Sequence, residues 1–173
     1  IAYTVSTTNL EKDKSTSQIW MVSTQGGEPI PLTMSSESAG GPKWSPDGKY
    51  LSFTASRGEG AQSQVWVLDR RGGEAQPLTE VKQGVGGFEW SPDGSKLLLT
   101  IRDPDTTEAS GGSGEGATQP RVREPWVIDR LQTKRDGRGY LTDTRKTHLY
   151  VFDVKTKKLT QITSGKWDEG SPA

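Results

Sequence analysis

Residues 42–53 read PKWSPDGKYLSF and residues 88–99 read FEWSPDGSKLLL, so the five residues WSPDG occur twice in the chain. Trp44 and Trp90, which open the two copies, lie 46 positions apart. Ser-Pro-Asp-Gly is a turn sequence, because proline presets the first φ angle, aspartate bonds back to the backbone and glycine accepts positive φ. An apolar run follows each turn, so the pattern predicts a strand, a turn and a second strand that repeat together.

The repeat extends well beyond this turn. Residues 18–33 (QIWMVSTQGGEPIPLT) return as residues 64–79 (QVWVLDRRGGEAQPLT), again 46 residues later. A weaker third copy occupies residues 148–163 (HLYVFDVKTKKLTQIT), one period and a long insertion further on. Three copies of one unit indicate a repeat architecture.

Each unit contains the pattern of four short strands. Residues 50–56 place apolar side chains at every second position, which is typical of a strand with one buried face. Residues 64–69 carry apolar side chains on both faces, as a strand covered on both sides does. A four-stranded unit of about 46 residues predicts one blade of a β-propeller. The alternative is a β-sandwich with two similar hairpins, which does not explain why turns and strands repeat together.

The predicted fold is therefore all-β, a partial β-propeller of about three four-stranded antiparallel blades. We assign the blades to residues 1–34, 35–80 and 81–164, with an insertion at 102–147 and the start of a further blade at 165–173. The first blade is expected to lack its first strand. Because closed propellers have about 4–8 blades, we expect a piece of a longer protein or a half-ring, and self-association through open blade faces.

Composition excludes several classes of function. The 22 basic residues balance 22 acidic ones, so the chain lacks the positive field that binds nucleic acid or an anionic membrane. No apolar run is long enough to span a bilayer. There is no cysteine, which excludes disulfides and thiolate metal sites. We therefore expect neither nucleic acid nor membrane as a partner.

The insertion has two halves. Residues 103–120 are rich in Gly, Ser and Thr, which predicts a mobile loop, and their acidic residues lack the spacing of a calcium-binding loop. The second half predicts a small extra hairpin around residues 135–138. Arg135 and Arg138 at its tip are the candidate substrate-entrance residues. Two interpretations stay open: a self-paired, solvated hairpin, or a decoration of a rim or entrance.

The sequence offers no catalytic, cofactor-binding or metal-binding residues. A serine nucleophile on a G-x-S-x-G turn is absent, and the single histidine, His148, is expected to have a structural or surface role. Histidine or cysteine metal clusters are excluded by count. The tryptophans mostly recur at equivalent repeat positions, which favours packing between blades over a sugar-stacking platform: Trp20, Trp44, Trp66, Trp90, Trp126 and Trp167.

Two sets of motifs carry a resemblance. The unit W-S-P-D-G-K-x-L-x-F, followed by Q-V-W-V-L-D, resembles the WD40-like (PD40, TolB-type) propeller repeat. The insertion, with EPWVIDRLQ at 124–132, KRDG at 134–137 and HLYVFD at 148–153, resembles prolyl oligopeptidase-family serine peptidases of bacteria. The most similar branch contains acylaminoacyl peptidases and dipeptidyl-peptidase-5-like enzymes.

The resemblance implies that the parent protein is a serine peptidase, bacterial cytoplasmic or exported, whose propeller precedes an α/β-hydrolase domain. No residue of that family's catalytic triad maps onto this chain, so we expect the chain alone to be inactive. The implied role is substrate gating, in which the propeller admits short peptides to the hydrolase domain and excludes folded proteins. The alternatives are a non-enzymatic TolB-like scaffold that binds a protein partner and a sugar-binding propeller.

Overall fold

The computed structural model describes residues 1–11, 13–34, 38–58, 60–104, 134–135, 139–140 and 145–170. Every regular element in these residues is a β-strand. The strands are β1 Ala2–Asn9, β2 Lys14–Met21, β3 Ile30–Pro31, β4 Ala39–Trp44, β5 Tyr50–Ala55, β6 Gln64–Asp69, β7 Gln76–Pro77, β8 Gly87–Trp90, β9 Lys96–Arg102, β10 Lys134–Arg135, β11 Gly139–Tyr140, β12 Thr147–Asp153 and β13 Leu159–Gln161.

These strands form three antiparallel sheets and one separate hairpin. The first sheet has the order β1-β2-β3, the second β4-β5-β6-β7 and the third β8-β9-β12-β13, while β10 pairs only with β11. The third sheet continues across the insertion, because Arg102 at the end of β9 pairs with Thr147 at the start of β12. The prediction of an all-β chain with repeated antiparallel sheets is confirmed.

The two WSPDG turns have the same hydrogen-bonded geometry. Ser45 Oγ donates to Asp47 Oδ1 at 2.6 Å, and the backbone N–H groups of Lys49 and Tyr50 donate to Asp47 Oδ1 and Ser45 Oγ. Gly48 takes a φ of 67°, which the turn requires and a larger residue adopts only with strain. The second copy repeats these bonds at equivalent residues. The hydrogen bond from Ser45, reinforced by Lys49, lowers the pKa of Asp47 to about 2.

The middle sheet is covered on both faces, as its sequence predicts. Val65 of β6 belongs to the apolar cluster shared with the third sheet. Leu68, which points to the opposite face of the same strand, belongs to the cluster shared with the first sheet. Phe53 and Ala55 of β5 are buried in that second cluster. Each sheet-to-sheet contact is therefore an interface between neighbouring blades.

The tryptophans divide between packed and exposed positions. Trp44 and Trp66 pack in the interface of the first two sheets, and Trp90 packs in the next one, where its Nε1 donates to Ser52 Oγ at 3.1 Å. Trp167 is 81% exposed among the described residues, and its packing between blades stays a prediction. Trp126 lies outside the described residues.

Both outer sheets have an apolar face that no described residue of another sheet covers. In the first sheet, Ile19 packs toward the second sheet, and Trp20, next along the strand, points to the other face. Ile1 is 66% exposed at that end of the molecule. In the third sheet, Leu98 and Val151 line an open depression of about 670 Å³. These faces are the surfaces on which the self-association hypothesis rests.

Candidate functional site

The first strands of the second and third sheets enclose a cleft of about 300 Å³. Its walls come from the same repeat positions in the two sheets: Gly40 with Gly86, Gly41 with Gly87, and Thr54 with Thr100. β4 and β8 are edge strands of their sheets, so one side of each pairs with no other strand of the described residues. In a propeller, blades are arranged around a central channel, and equivalent edges of neighbouring blades meet on the same side.

Glycine keeps this cleft open. The hydroxyl of Thr54 donates to the carbonyl of Gly40 at 3.1 Å, and the hydroxyl of Thr100 donates to the carbonyl of Gly87 at 3.2 Å. A Cβ atom added to Gly87 would lie 3.1 Å from the Thr100 hydroxyl, closer than nearly all ordinary contacts. A Cβ atom added to Gly40 would meet nothing and would project into open space. Larger residues on these strands would therefore fill the cleft or disturb its hydroxyl contacts.

One ion pair bridges the cleft. Lys43 Nζ of β4 contacts the carboxylate of Glu89 on β8, and the two residues occupy equivalent positions of the repeat. The lysine also lies 5.9 Å from the centre of the Phe88 ring. Both charged side chains are partly exposed, so the pair is accessible to salt and contributes little to stability. The pair is therefore a weak, solvated contact between β4 and β8.

His148 is buried in a different place, between the third sheet and the segment that follows it. The residue is 3% exposed, its Nδ1 lies 2.6 Å from the Glu169 carboxylate, and its Nε2 lies 3.5 Å from that of Asp103. The hydrogen bond with His148 lowers the pKa of Glu169. Both ring nitrogens face carboxylates, so His148 has a structural role, and the surface alternative is wrong.

Sequence reasoning missed the common function of this position. His148 of β12 aligns with Gln18 of β2 and Gln64 of β6, which lie in the equivalent strands of the other two units. Gln64 Nε2 donates to the carbonyl of Val81 at 2.7 Å, and Gln18 Nε2 donates to that of Thr33 at 3.3 Å. In each unit this side chain forms a hydrogen bond with the segment that follows the fourth strand. The signal that identifies it is the alignment of the three copies.

The predicted entrance residues are only partly described. The hairpin predicted around residues 135–138 is present as β10 and β11, in which Arg135 pairs with Gly139. Arg138 and residues 105–120 lie outside the described residues. For Arg135 the structure describes the backbone pairing and not the side chain. Its assignment to a substrate entrance stays a prediction.

The described residues also bear on metal binding and on membranes. No group of three or more His, Cys, Asp or Glu side chains in this part of the chain is arranged to hold a metal ion. The same residues contain no helix with the length and apolar character that crossing a bilayer requires.

Comparisons with known proteins begin with sequence. The uncharacterized peptidase YuxL of Bacillus subtilis (strain 168) is 38% identical over 177 residues, which include 99% of this chain. The chain spans 25% of the length of that relative. No protein-family model matches the chain.

Solved structures match the fold over nearly the whole chain. The acylaminoacyl peptidase of Pyrococcus horikoshii superimposes with a TM-score of 0.63 and 24% identity, covering 93% of this chain and 23% of that one. The β-propeller domain of the Trilobed protease from Pyrococcus furiosus matches with a TM-score of 0.52 and 18% identity, covering 94% and 39%. A putative TolB from Agrobacterium tumefaciens gives 0.56 and 18%, covering 92% and 44%.

These comparisons confirm two predictions. The chain is a partial β-propeller, because its sheets superimpose on propeller structures over more than nine-tenths of its length. The resemblance to prolyl oligopeptidase-family peptidases is also confirmed by the peptidase relative together with the acylaminoacyl peptidase fold.

Proposed function

We propose that this chain is the substrate-gating propeller portion of a prolyl oligopeptidase-family serine peptidase that hydrolyses short peptides. The observation that carries the proposal is the 38% identity to a peptidase across 99% of this chain. Catalysis would come from an α/β-hydrolase domain outside the chain. The buried position of His148 supports this, because a histidine held between two carboxylates is not placed to activate a serine.

The gate that we propose is the glycine-lined cleft between β4 and β8, with Lys43 and Glu89 as its bridge. An extended peptide needs space and backbone hydrogen-bonding groups, and the edge strands offer both. A solvated ion pair opens at low energetic cost. Arg135 and Arg138 on the insertion hairpin are proposed to lie at the outer entrance. The same proposal assigns the blades to residues 1–34, 35–80 and 81–164.

Two measurements test this function. The isolated chain, incubated with aminoacyl and dipeptidyl chromogenic substrates, is expected to release no product. Turnover that persists after replacement of His148 and purification to homogeneity would place catalysis inside this chain and overturn the proposal.

The second measurement uses the complete peptidase with Lys43→Cys and Glu89→Cys joined by a short bis-maleimide. We expect the crosslink to slow hydrolysis of oligopeptides much more than hydrolysis of a small chromogenic amide, while each single variant treated in the same way behaves like the untreated enzyme. Equal rates for both substrates with and without the crosslink would contradict gating at this cleft.

A second candidate function is a non-enzymatic scaffold that binds a protein partner, which the fold likeness to a putative TolB favours. The open reading frame beyond Ala173 discriminates between the two. Further blades followed by G-x-S-x-G and a late histidine support the peptidase, whereas a stop codon soon after the ring closes supports the scaffold.

Self-association of the isolated chain is proposed in either case. The uncovered faces of the first and third sheets present apolar side chains such as Ile1 and Leu98, and such faces are covered in a closed propeller. Light scattering is expected to show dimers or larger species. A non-associating monomer that binds no apolar dye would contradict this proposal.

A further inference from the structure

A second cavity, of about 610 Å³, lies between the first and second sheets, where Ala39 and Ala55 are the chain neighbours of Gly40 and Thr54 of the glycine-lined cleft but point to the opposite faces of β4 and β5. Its floor is formed by the small or short apolar side chains of Ala39, Ala55, Leu68 and Ala75. Ligand sites in proteins are concave, mostly apolar and a few hundred Å³ in volume, with a small number of polar groups that fix the ligand. This cavity has the size and the apolar floor of such a site.

The neighbouring interface shows why the cavity exists. The residues of the third sheet and its preceding loop that are equivalent to Ala39 and Ala55 are Val85 and Ile101. Both are buried, as is Phe152, which is equivalent to Leu68. At all three positions the second interface carries the larger side chain, and Phe53, which is larger than its equivalent Leu99, returns only part of that volume to the first interface. Protein interiors are close-packed, so a volume deficit at three equivalent positions is a property of this sequence and not of the fold.

Two charged side chains line the cavity: Arg57 is half-buried, whereas Glu74 is exposed to solvent. The guanidinium of Arg57 lies 4.3 Å from the centre of the Trp66 ring, and both side chains line the cavity. Stacking on an aromatic ring fixes the guanidinium plane, and a fixed guanidinium binds carboxylates with two parallel hydrogen bonds. The position equivalent to Arg57 in the third sheet is Asp103, so the cation is specific to this interface. The apolar floor of the cavity and the guanidinium of Arg57 together favour a ligand that has an apolar group and a carboxylate.

We propose that this inter-blade cavity is a binding site for a small apolar carboxylate, with Arg57 as the anion-binding residue and the alanine floor as the apolar pocket. The site is distinct from the proposed gate, because it shares no lining residue with the cleft between β4 and β8.

The test is a calorimetric titration of the chain with 4-phenylbutyrate, with 4-phenylbutanamide as the uncharged control. We expect the acid to bind and the amide to bind at least about tenfold more weakly. Arg57→Gln is expected to remove this preference for the acid. Ala55→Ile, which introduces the side chain that the equivalent position 101 carries, is expected to weaken binding at least about tenfold by filling the pocket. Circular dichroism establishes that each variant is folded.

The outcomes are decisive in both directions. Loss of binding in a folded Ala55→Ile chain, with loss of acid preference in Arg57→Gln, supports the site. Absence of millimolar binding to the unmodified chain overturns it, as does equal affinity for acid and amide. If Ala55→Ile does not fold, Ala39→Val fills the same floor with the residue found at the equivalent position 85, and unchanged affinity in that variant overturns the proposal as well.

Discussion

The middle sheet forms one interface with each neighbour, and the two interfaces are built from equivalent repeat positions but are filled differently. Toward the third sheet it packs against the buried side chains of Leu97, Leu99 and Ile101. Toward the first sheet the equivalent positions are its own Leu51, Phe53 and Ala55. Phe53 returns some of the volume that Ala55 gives up, yet a cavity remains beside Arg57. The repeat thus determines where an interface lies, while the individual side chains determine whether it is close-packed or contains a cavity.

The largest expected effect comes from removing a buried side chain from the closely packed interface between the second and third sheets. Ile101→Ala removes a buried side chain at the position where the first interface already has alanine, and we expect a loss of about 2–5 kcal/mol in the free energy of unfolding. Urea denaturation followed by tryptophan fluorescence measures it. A loss below about 1 kcal/mol would show that the interface of the second and third sheets is packed no more closely than that of the first and second. It would contradict the comparison drawn above.

A smaller effect is expected from the threonine that closes each unit. Thr79 Oγ1 accepts from the Val65 N–H at 3.0 Å and donates to Gln64 Oε1 at 2.8 Å, all within a buried setting. Thr79→Val removes the hydroxyl but keeps the shape, leaving the N–H without its partner, and is expected to cost about 1–3 kcal/mol.

The matched variant Thr33→Val tests the same bond in the first sheet, where Thr33 Oγ1 accepts from the Ile19 N–H at 2.9 Å. We expect a loss of the same sign and no larger, measured by the same urea titration. If Thr33→Val destabilised the chain clearly more than Thr79→Val does, the first interface would depend more on this threonine hydrogen bond than on its apolar packing.

The smallest effect concerns the two WSPDG turns and pH. Hydrogen bonds from serine hydroxyls and backbone N–H groups lower the pKa of Asp47 and of Asp93 from 3.8 to about 2. Because the folded pKa is depressed, the stabilisation is full above about pH 4 and is lost as the pH falls toward 2. In the double variant Asp47→Asn, Asp93→Asn, the urea midpoint is expected to fall less between pH 4 and pH 2 than it does in the unmodified chain. Identical pH profiles of variant and unmodified chain would contradict the turn geometry.

Much of the fold could be predicted because its signals are local. The turn residues Ser45, Asp47 and Gly48 sit next to each other in sequence and determine the chain reversal by themselves. The alternation in β5 likewise predicts which side chains are buried. Three copies of one pattern then determine the number of sheets.

The sites were harder to predict because they depend on contacts between units. The partner of His148 is Glu169, which lies in an irregular segment with no strand pattern to place it. The bridge between Lys43 and Glu89 requires two sheets to be neighbours, although the period of 46 residues and the opposite charges were a usable signal. The cavity beside Arg57 reflects side-chain volume, and a hydrophobic pattern does not distinguish alanine from isoleucine.

The measurement that tests the central claim most directly is zero-length crosslinking with a carbodiimide, which joins a carboxylate to an amine in contact with it. If the sheets are neighbouring blades, Lys43 and Glu89 are expected to form an amide, identified by mass spectrometry of the digested chain. Lys146 and Asp168, whose charged groups are 3.3 Å apart within the third blade and the segment that follows it, are the positive control. Mixing unlabelled and isotope-labelled chains separates internal from intermolecular products.

The account predicts an internal crosslink between Lys43 and Glu89 that disappears in Glu89→Gln. A Lys146–Asp168 crosslink without any Lys43–Glu89 product would show that the first strands of the second and third sheets do not meet, and it would contradict the propeller arrangement on which the gate depends.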